Sequence, residues 1–138
     1  MTADPTLHHV VFAVAPDRRA AAVQMFTDLG FAFNTAELAE LGIHVHLDWD
    51  RGIELISPIP GSDGSVAASV TEFLDRHGDG VYTVVIRVPD AAASETVAER
   101  FGSATRFRQS FSGGDSYLDE IDLSVLGLPL TLLSTNVS

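Results

Sequence analysis

The fold is decided by residues 10–30, VVFAVAPDRRAAAVQMFTDLG, because their outline returns about half a chain later in residues 84–102, VVIRVPDAAASETVAERFG. Both stretches begin with apolar residues typical of a strand and turn at a Pro-Asp pair. Both then continue through an alanine-rich segment typical of a helix and end at a glycine. This similarity predicts two copies of one supersecondary motif, which together fill the chain.

Each copy is followed by further segments that alternate apolar and polar residues or carry short apolar runs, as strands do. The predicted strands are residues 31–37, 42–49 and 53–57 in the first half and 105–111, 116–123 and 128–134 in the second. A helix between the halves has Ser65 as its predicted N-cap and ends at Gly78. The sequence therefore predicts an α+β fold of two tandem β-α-β-β-β modules. We expect a single domain over residues 1–138, with module one at 7–57, a connecting loop and helix at 58–80, and module two at 81–134.

The composition is that of a globular chain with a large acidic excess. Of the 138 residues, 46% are hydrophobic and 20% are charged, and the formal net charge is −11. Sparse Lys and Arg argue against a nucleic acid or an anionic membrane as the partner. The absence of cysteine excludes thiolate metal sites and thiol nucleophiles. With no signal peptide or spanning apolar run in view, we expect a cytoplasmic protein.

Three segments resemble the vicinal oxygen chelate superfamily, which includes glyoxalase I, bleomycin-resistance proteins and dioxygenases. They are residues 9–14, HVVFAV, residues 52–58, GIELISP, and residues 73–80, FLDRHGDG. The resemblance covers nearly the whole chain and is greatest to the methylmalonyl-CoA epimerase and glyoxalase-like branch. It implies that the two modules form a cup-shaped, mostly antiparallel sheet with the helices outside. It also implies a small-molecule ligand or substrate and a homodimer.

The family's metal enzymes take one metal ligand from each of four strands. The resemblance places these four positions on His9, Glu54, Thr83 and Thr131. Threonine is a poor ligand for the divalent metals of such enzymes. We therefore expect no cofactor, and a bound divalent metal is the alternative.

A relocated metal site depends on the turn between the strands at 42–49 and 53–57. If this turn has an odd length, His44 and His46 share a face with Glu54, whereas an even length reverses the faces. The odd turn would make a two-histidine, one-carboxylate set from His9, His44 or His46, and Glu54. In that case we expect His46 as the third ligand.

Glu54 is the strongest candidate for a chemical role, because a carboxylate in the middle of an apolar strand is costly to bury without a partner. It either binds a ligand, acts as a base or faces water. The resemblance implies a glyoxalase- or epimerase-like enzyme that transfers a proton on a small oxygenated molecule, carbonyl or acyl, without a standard metal site. Glu54 would be the general base and His9 an acid or oxyanion donor.

The predicted substrate-binding residues are Thr83, Arg87, Thr131, His44, His46 and Tyr117. Arg87 either binds a substrate carboxylate or phosphate, or forms an ion pair with Glu54 or another acid. The alternative function is a non-catalytic small-molecule binding protein of the bleomycin-resistance type. The net charge of −11 and the two threonines at ligand positions suit this alternative.

Overall fold

The computed structural model describes residues 4–138, and within them the order of elements is the predicted one. The elements are β1 (Thr6–Ala13), α1 (Arg19–Asp28), β2 (Asn34–Leu38), β3 (Ile43–Asp48), β4 (Ile53–Pro58), α2 (Ser65–His77), β5 (Gly80–Arg87), α3 (Ala91–Glu99), β6 (Ala104–Gly113), β7 (Ser116–Val125) and β8 (Leu128–Thr135). The α+β class and the two tandem β-α-β-β-β modules are therefore confirmed.

The chain forms two compact units, and the boundary between them runs through β1 and β5. The first unit comprises residues 9–82, and the second comprises residues 83–138 together with the residues up to His8. Strands of the first unit follow the order β2-β3-β4-β1, and those of the second the order β5-β8-β7-β6. In each unit the first and last strands are parallel neighbours, and the other neighbours are antiparallel. The predicted mostly antiparallel pairing is thus present in both units.

Aromatic side chains fix α1 to one face of the sheet in the first unit. The ring of Phe26 on α1 lies 5.9 Å from that of Phe12 on β1 and 5.6 Å from that of Phe31. Phe12 is paired with Leu55 in the parallel β1–β4 ladder, so Leu55 lies on the same face. We call this face the α1 face and the opposite one the Glu54 face.

Helix α2 begins in close contact with the chain that leads into β3. The backbone N–H groups of Val66 and Ala67 donate to the carbonyl oxygen of Leu41, at 3.1 and 2.9 Å. The N-cap is Gly64 rather than the predicted Ser65. Only glycine fits at this position, because a Cβ at Gly64 would overlap the backbone of Leu41. The predicted end at Gly78 is confirmed, with a positive φ of 73° at that residue.

Helix α3 covers one face of the sheet in the second unit. The core beneath it consists of buried and partly buried apolar side chains: Val88, Ala91, Ile121, Leu123, Leu132, Ile86, Ala98, Val125 and Leu130. Glu95 of α3 accepts hydrogen bonds from the Thr105 hydroxyl and from Arg108 of β6. These bonds, the one from Thr105 first, hold the pKa of Glu95 below its usual value. Among residues 4–138 there is no helix with the length and hydropathy needed to cross a membrane.

Candidate functional site

The structure brings His9 and Glu54 together in the first unit. In the parallel β1–β4 ladder Val11 lies opposite Glu54, so His9 projects from the same face of the sheet as Glu54. The His9 Nε2 atom lies 3.2 Å from the Glu54 Oε1 atom. An ionised carboxylate only accepts, so the imidazole N–H donates this bond. The His9 side chain is 3% exposed and that of Glu54 is 18% exposed. A buried imidazole thus holds a carboxylate that solvent or a small molecule can reach.

The predicted position of His44 and His46 beside Glu54 is wrong. Glu54 lies opposite Leu47 in the antiparallel β3–β4 ladder, and His46 lies opposite Leu55. Directly opposed residues share a face, so His44 and His46 project from the α1 face. The cause is the connection between the strands, which contains the four residues 49–52 and is therefore even rather than odd.

Asp48 explains why the even connection is stable. Its carboxylate accepts hydrogen bonds from the backbone N–H groups of Ala32, at 3.0 Å, and Arg51, at 3.1 Å. The N–H of Gly52 closes the turn by donating to the Asp48 carbonyl oxygen at 2.9 Å, with φ of 84° at the glycine. The N–H of Ala32 is the largest influence that holds the pKa of Asp48 below its usual value. A buried aspartate with these partners anchors the strand with its polar residues facing α1.

His46 is buried on the α1 face and is 6% exposed. Its Nδ1 atom lies 2.9 Å from the Thr35 hydroxyl, and its ring meets the edge of Phe33 at a centroid distance of 6.1 Å. The Nε2 atom is buried and has no hydrogen-bond partner within the described residues. Burial lowers the pKa of His46, and the charge of Arg19 lowers it further. The imidazole is therefore held in its neutral form.

Acidification should destabilise the protein through His46. The unfolded imidazole takes up a proton near pH 6.5, whereas the folded one does so only at lower pH. Stability is therefore complete above pH 6.5 and falls as the pH drops below it, by at most about 1.4 kcal/mol per pH unit for one proton. We expect the free energy of unfolding of His46→Asn to depend less on pH than that of the unchanged protein between pH 7 and 5. Urea titrations at four pH values measure this.

His77→Asn is the matched control, because His77 is exposed at the end of α2. It should keep the pH dependence of the unchanged protein. An unaltered slope in His46→Asn would contradict the role given to His46.

The side chains present do not fit the divalent metal that the family's metal enzymes bind. His46 lies on the α1 face and cannot complete a set with His9 and Glu54. At the other two ligand positions, the hydroxyls of Thr83 and Thr131 bond to each other at 3.0 Å. Across residues 4–138 no cluster of three or more His, Cys, Asp or Glu is placed to hold a metal ion. Hydroxyls and a single His–Glu pair are a weak donor set for such a metal.

In the second unit, the two threonines belong to a longer polar chain that the sequence did not predict. The Thr131 hydroxyl also donates to Asp122 Oδ1 at 3.3 Å, and the same oxygen accepts from Arg106 Nη2 at 2.8 Å. A β-bulge between Thr105 and Phe107 inserts Arg106 into β6 next to Phe107, the residue that lies opposite Asp122. Burial raises the pKa of Asp122, while Arg106 and Thr131 act in the opposite direction.

Arg87 and Tyr117 have defined positions in the second unit. Arg87 shares a face with Thr83, as strand alternation requires, and its Nη2 atom donates to the Thr135 carbonyl oxygen at 2.8 Å. Tyr117 lies opposite Ser112 near the tip of the β6–β7 hairpin and is 42% exposed. It lines a surface pocket of about 330 Å³ together with Phe111, Ser112, Gly113, Ser116, Leu118 and Val137.

Several solved structures have the same fold as this chain. Methylmalonyl-CoA epimerase from Mycobacterium tuberculosis is 24% identical, with 93% of this chain and 86% of that chain covered and a TM-score of 0.64. The chain has the vicinal oxygen chelate fold. A Streptomyces coelicolor methylmalonyl-CoA epimerase variant in complex with 2-nitronate-propionyl-CoA is 18% identical, with coverages of 95% and 97% and a TM-score of 0.64.

A variant of 4-hydroxymandelate synthase from Streptomyces coelicolor also has this fold. That structure is 17% identical, with a TM-score of 0.68, and the match covers 97% of this chain and 50% of that one. No protein-family model and no curated protein sequence matches the chain. The predicted vicinal oxygen chelate fold is therefore confirmed through structure.

Proposed function

We propose that this chain catalyses proton transfer next to the carbonyl group of a small carbonyl or acyl compound, with Glu54 as the general base. The observation that carries the proposal is the hydrogen bond between the buried His9 imidazole and the partly exposed Glu54 carboxylate. Burying a carboxylate on an otherwise apolar strand costs free energy of folding, and a purely structural role would not require this residue type. A base positioned by a second side chain is typical of proton-transfer sites.

The chemistry follows from the two oxygens of the carboxylate. Oε1 accepts the His9 N–H, so Oε2 is the atom proposed to take a proton from the substrate. The substrate's C–H bond breaks, an O–H bond forms on Glu54, and the electron pair moves onto the carbonyl group as an enolate. Glu54 exchanges its proton with solvent, and return of a solvent-derived proton to carbon completes an exchange; delivery of that proton to the opposite face of the enolate would complete an epimerisation. His9 fixes the carboxylate during both steps and is a positioning residue.

Acyl thioesters with an acidic proton beside the carbonyl are the substrate class that the similar structures support. These structures include methylmalonyl-CoA epimerases, one in complex with 2-nitronate-propionyl-CoA and one with methylmalonyl-CoA. The proposed reaction uses the chain's own side chains. Thr83, Arg87, Thr131 and Tyr117 stay predicted substrate-binding residues, whereas His44 and His46 are left out because they face α1. The homodimer and the cytoplasmic location stay predictions.

Proton exchange with solvent tests the proposal directly. The protein is incubated in D2O with methylmalonyl-CoA, ethylmalonyl-CoA or propionyl-CoA, and the signal of the proton beside the carbonyl is followed by NMR. We expect exchange at least about 100-fold faster than without protein for one of the malonyl thioesters. We expect the rate to be unchanged after treatment with a chelator. No acceleration with any of the three would overturn the acyl-thioester assignment.

The alternative is a protein that binds a small molecule without changing it, and the acidic charge favours it. Nineteen acidic residues against eight basic ones give a net charge of −11, which attracts cationic ligands. A thermal-shift screen of cationic and neutral aromatic compounds separates the two functions. Stabilisation by a cationic compound together with no exchange of any thioester would support the binding function.

A further inference from the structure

The two units carry equivalent side-chain pairs at one position of the repeat. In the first unit the parallel ladder places Val11 opposite Glu54, and in the second it places Val85 opposite Thr131. Thr83 and Thr131 therefore occupy in the second unit the positions that His9 and Glu54 occupy in the first. Both pairs are hydrogen-bonded.

The sheet face that carries these pairs has a carboxylate in each unit, but the carboxylate is on a different strand. In the first unit it is Glu54 on β4, and the residue opposite it on β3 is Leu47. In the second unit the residue of β8 is Thr131, and the residue opposite it on β7 is Asp122. Each unit thus has a carboxylate at this point of the sheet, but Asp122 reaches the equivalent pair through the Thr131 hydroxyl.

The direction of the hydrogen bonds follows from the number of protons. Thr131 has one hydroxyl proton and donates it to Asp122 Oδ1. The Thr83 hydroxyl must therefore donate to Thr131, over 3.0 Å, when Asp122 is ionised. With its own proton used in this way, the Thr83 oxygen can only accept a further hydrogen bond.

Protonation of Asp122 reverses the direction of these hydrogen bonds. The carboxylic acid donates to Thr131, Thr131 donates to Thr83, and the Thr83 proton becomes available to an outside acceptor. One proton enters at Asp122 and one is offered at Thr83, so the count balances. Both threonines are buried, at 5% and 3% exposure, which shields the chain from competing water.

We propose that Asp122, Thr131 and Thr83 form a hydroxyl relay in which Asp122 decides whether the Thr83 hydroxyl donates or accepts. With Asp122 protonated, Thr83 would bind a carbonyl or carboxylate oxygen. With Asp122 ionised, Thr83 would bind a hydroxyl or ammonium group. Asp122 is thereby a specificity-determining residue that acts through another side chain.

The charged groups on this face of the second unit belong to β5, β6 and β7. Arg106 contacts Asp122 directly. On the same face, Arg87 of β5 donates to the Thr135 carbonyl oxygen, and Glu120 of β7 accepts from Gln109 at 3.0 Å. The Glu95–Arg108 pair lies on the opposite face, beneath α3. Burial of Asp122 raises its pKa, and Arg106 and Thr131 act in the opposite direction.

The relay is tested by titrating the Asp122 carboxyl carbon by NMR in the full-length protein. Thr131→Val removes a donor from the carboxylate and should raise the titration midpoint by about one pH unit. Thr83→Val should raise it by a few tenths of a unit although Thr83 does not touch Asp122, because a hydroxyl that accepts a bond is a better donor. Thr83→Ser should restore the midpoint of the unchanged protein. Thr96→Val, at an exposed threonine of α3, is the control for unspecific shifts.

The decisive comparison is between Thr83→Val and Thr83→Ser. A midpoint in Thr83→Val equal to that of the unchanged protein would overturn the relay, whatever Thr131→Val does. An equal shift in Thr83→Ser and Thr83→Val would also overturn it, because the hydroxyl would then not be the cause. If Thr131→Val does not fold, the Thr83 pair still gives the answer. No substrate is needed, so the outcome is independent of whether Glu54 is a base.

Discussion

Glu54→Gln is expected to lower the rate of proton exchange with a malonyl thioester by about 100- to 10,000-fold. The amide keeps the size of the side chain, but it cannot take a proton from carbon at neutral pH, and that is the range attributed to a positioned general base. The Gln side-chain oxygen can still accept the His9 hydrogen bond, so the fold should be retained. The rate constant from single-turnover NMR measures the effect, and substrate affinity should change by less than about tenfold.

Glu40→Gln is the control for this substitution. Glu40 lies in the first unit between β2 and β3, and it is exposed. It loses the same charge without touching His9, so its exchange rate should equal that of the unchanged protein. If Glu54→Gln exchanged the thioester as fast as Glu40→Gln, the assignment of Glu54 as the base would be wrong. Loss of binding with an unchanged rate constant would instead identify Glu54 as a ligand-binding residue.

Gly64→Ala is expected to lower the free energy of unfolding by about 3 kcal/mol or more. A Cβ at this position would overlap the carbonyl carbon and oxygen of Leu41 and the nitrogen of Gly42, all of them backbone atoms. Backbone cannot move aside as a flexible side chain can, so the start of α2 would have to shift. That shift would also break the bonds from Val66 and Ala67 to the Leu41 carbonyl oxygen. Chemical denaturation measures the loss.

Gly80→Ala separates this steric effect from the general cost of replacing glycine. A Cβ at Gly80 meets nothing within 4 Å, and like Gly64 it has no positive φ. Its stability should therefore change by less than about 0.5 kcal/mol. Equal stabilities of Gly64→Ala and Gly80→Ala would show that α2 does not depend on the close approach to Leu41.

The element order could be predicted from the sequence because the repeat carries local signals twice. Each copy has its own Pro-Asp turn and terminal glycine, and Asp90 acts as a helix cap by accepting the Ala93 N–H. The family resemblance placed His9 and Glu54 at two positions of one site, but their hydrogen bond was not predicted. The turn, cap and glycine signals depend on a few neighbouring residues and need no knowledge of the remaining packing.

The faces of β3 could not be predicted because both of them are largely covered. The pattern of apolar residues would identify the core only if the polar residues faced water. Instead His46 and Asp48 are buried, and hydrogen bonds to Thr35, Ala32 and Arg51 stabilise them there. The alternation of apolar and polar residues is the same whether a polar residue faces water or is buried against partners elsewhere in the chain. The pattern alone therefore cannot identify a buried polar residue.

Asp122 was missed for a related reason. It lies in a strand with alternating charge, which is typical of a solvated face. Its contact with Arg106 depends on a β-bulge, and its contact with Thr131 depends on the β7–β8 register. Neither the bulge nor the register can be read from residue types alone.

The length of the four-residue connection after β3 determines which side chains of β3 project from the Glu54 face. Removing one residue from this connection would shift the register of β3 by one residue. Every β3 side chain would then project from the opposite face, although no strand residue had been substituted. The aliphatic side chains at 43, 45 and 47 would exchange places with the imidazoles at 44 and 46. A face with one carboxylate would then acquire two nitrogen donors through a deletion of a single codon. In this architecture, an insertion or deletion in a loop changes the reactivity of a sheet as strongly as substitution of its strands.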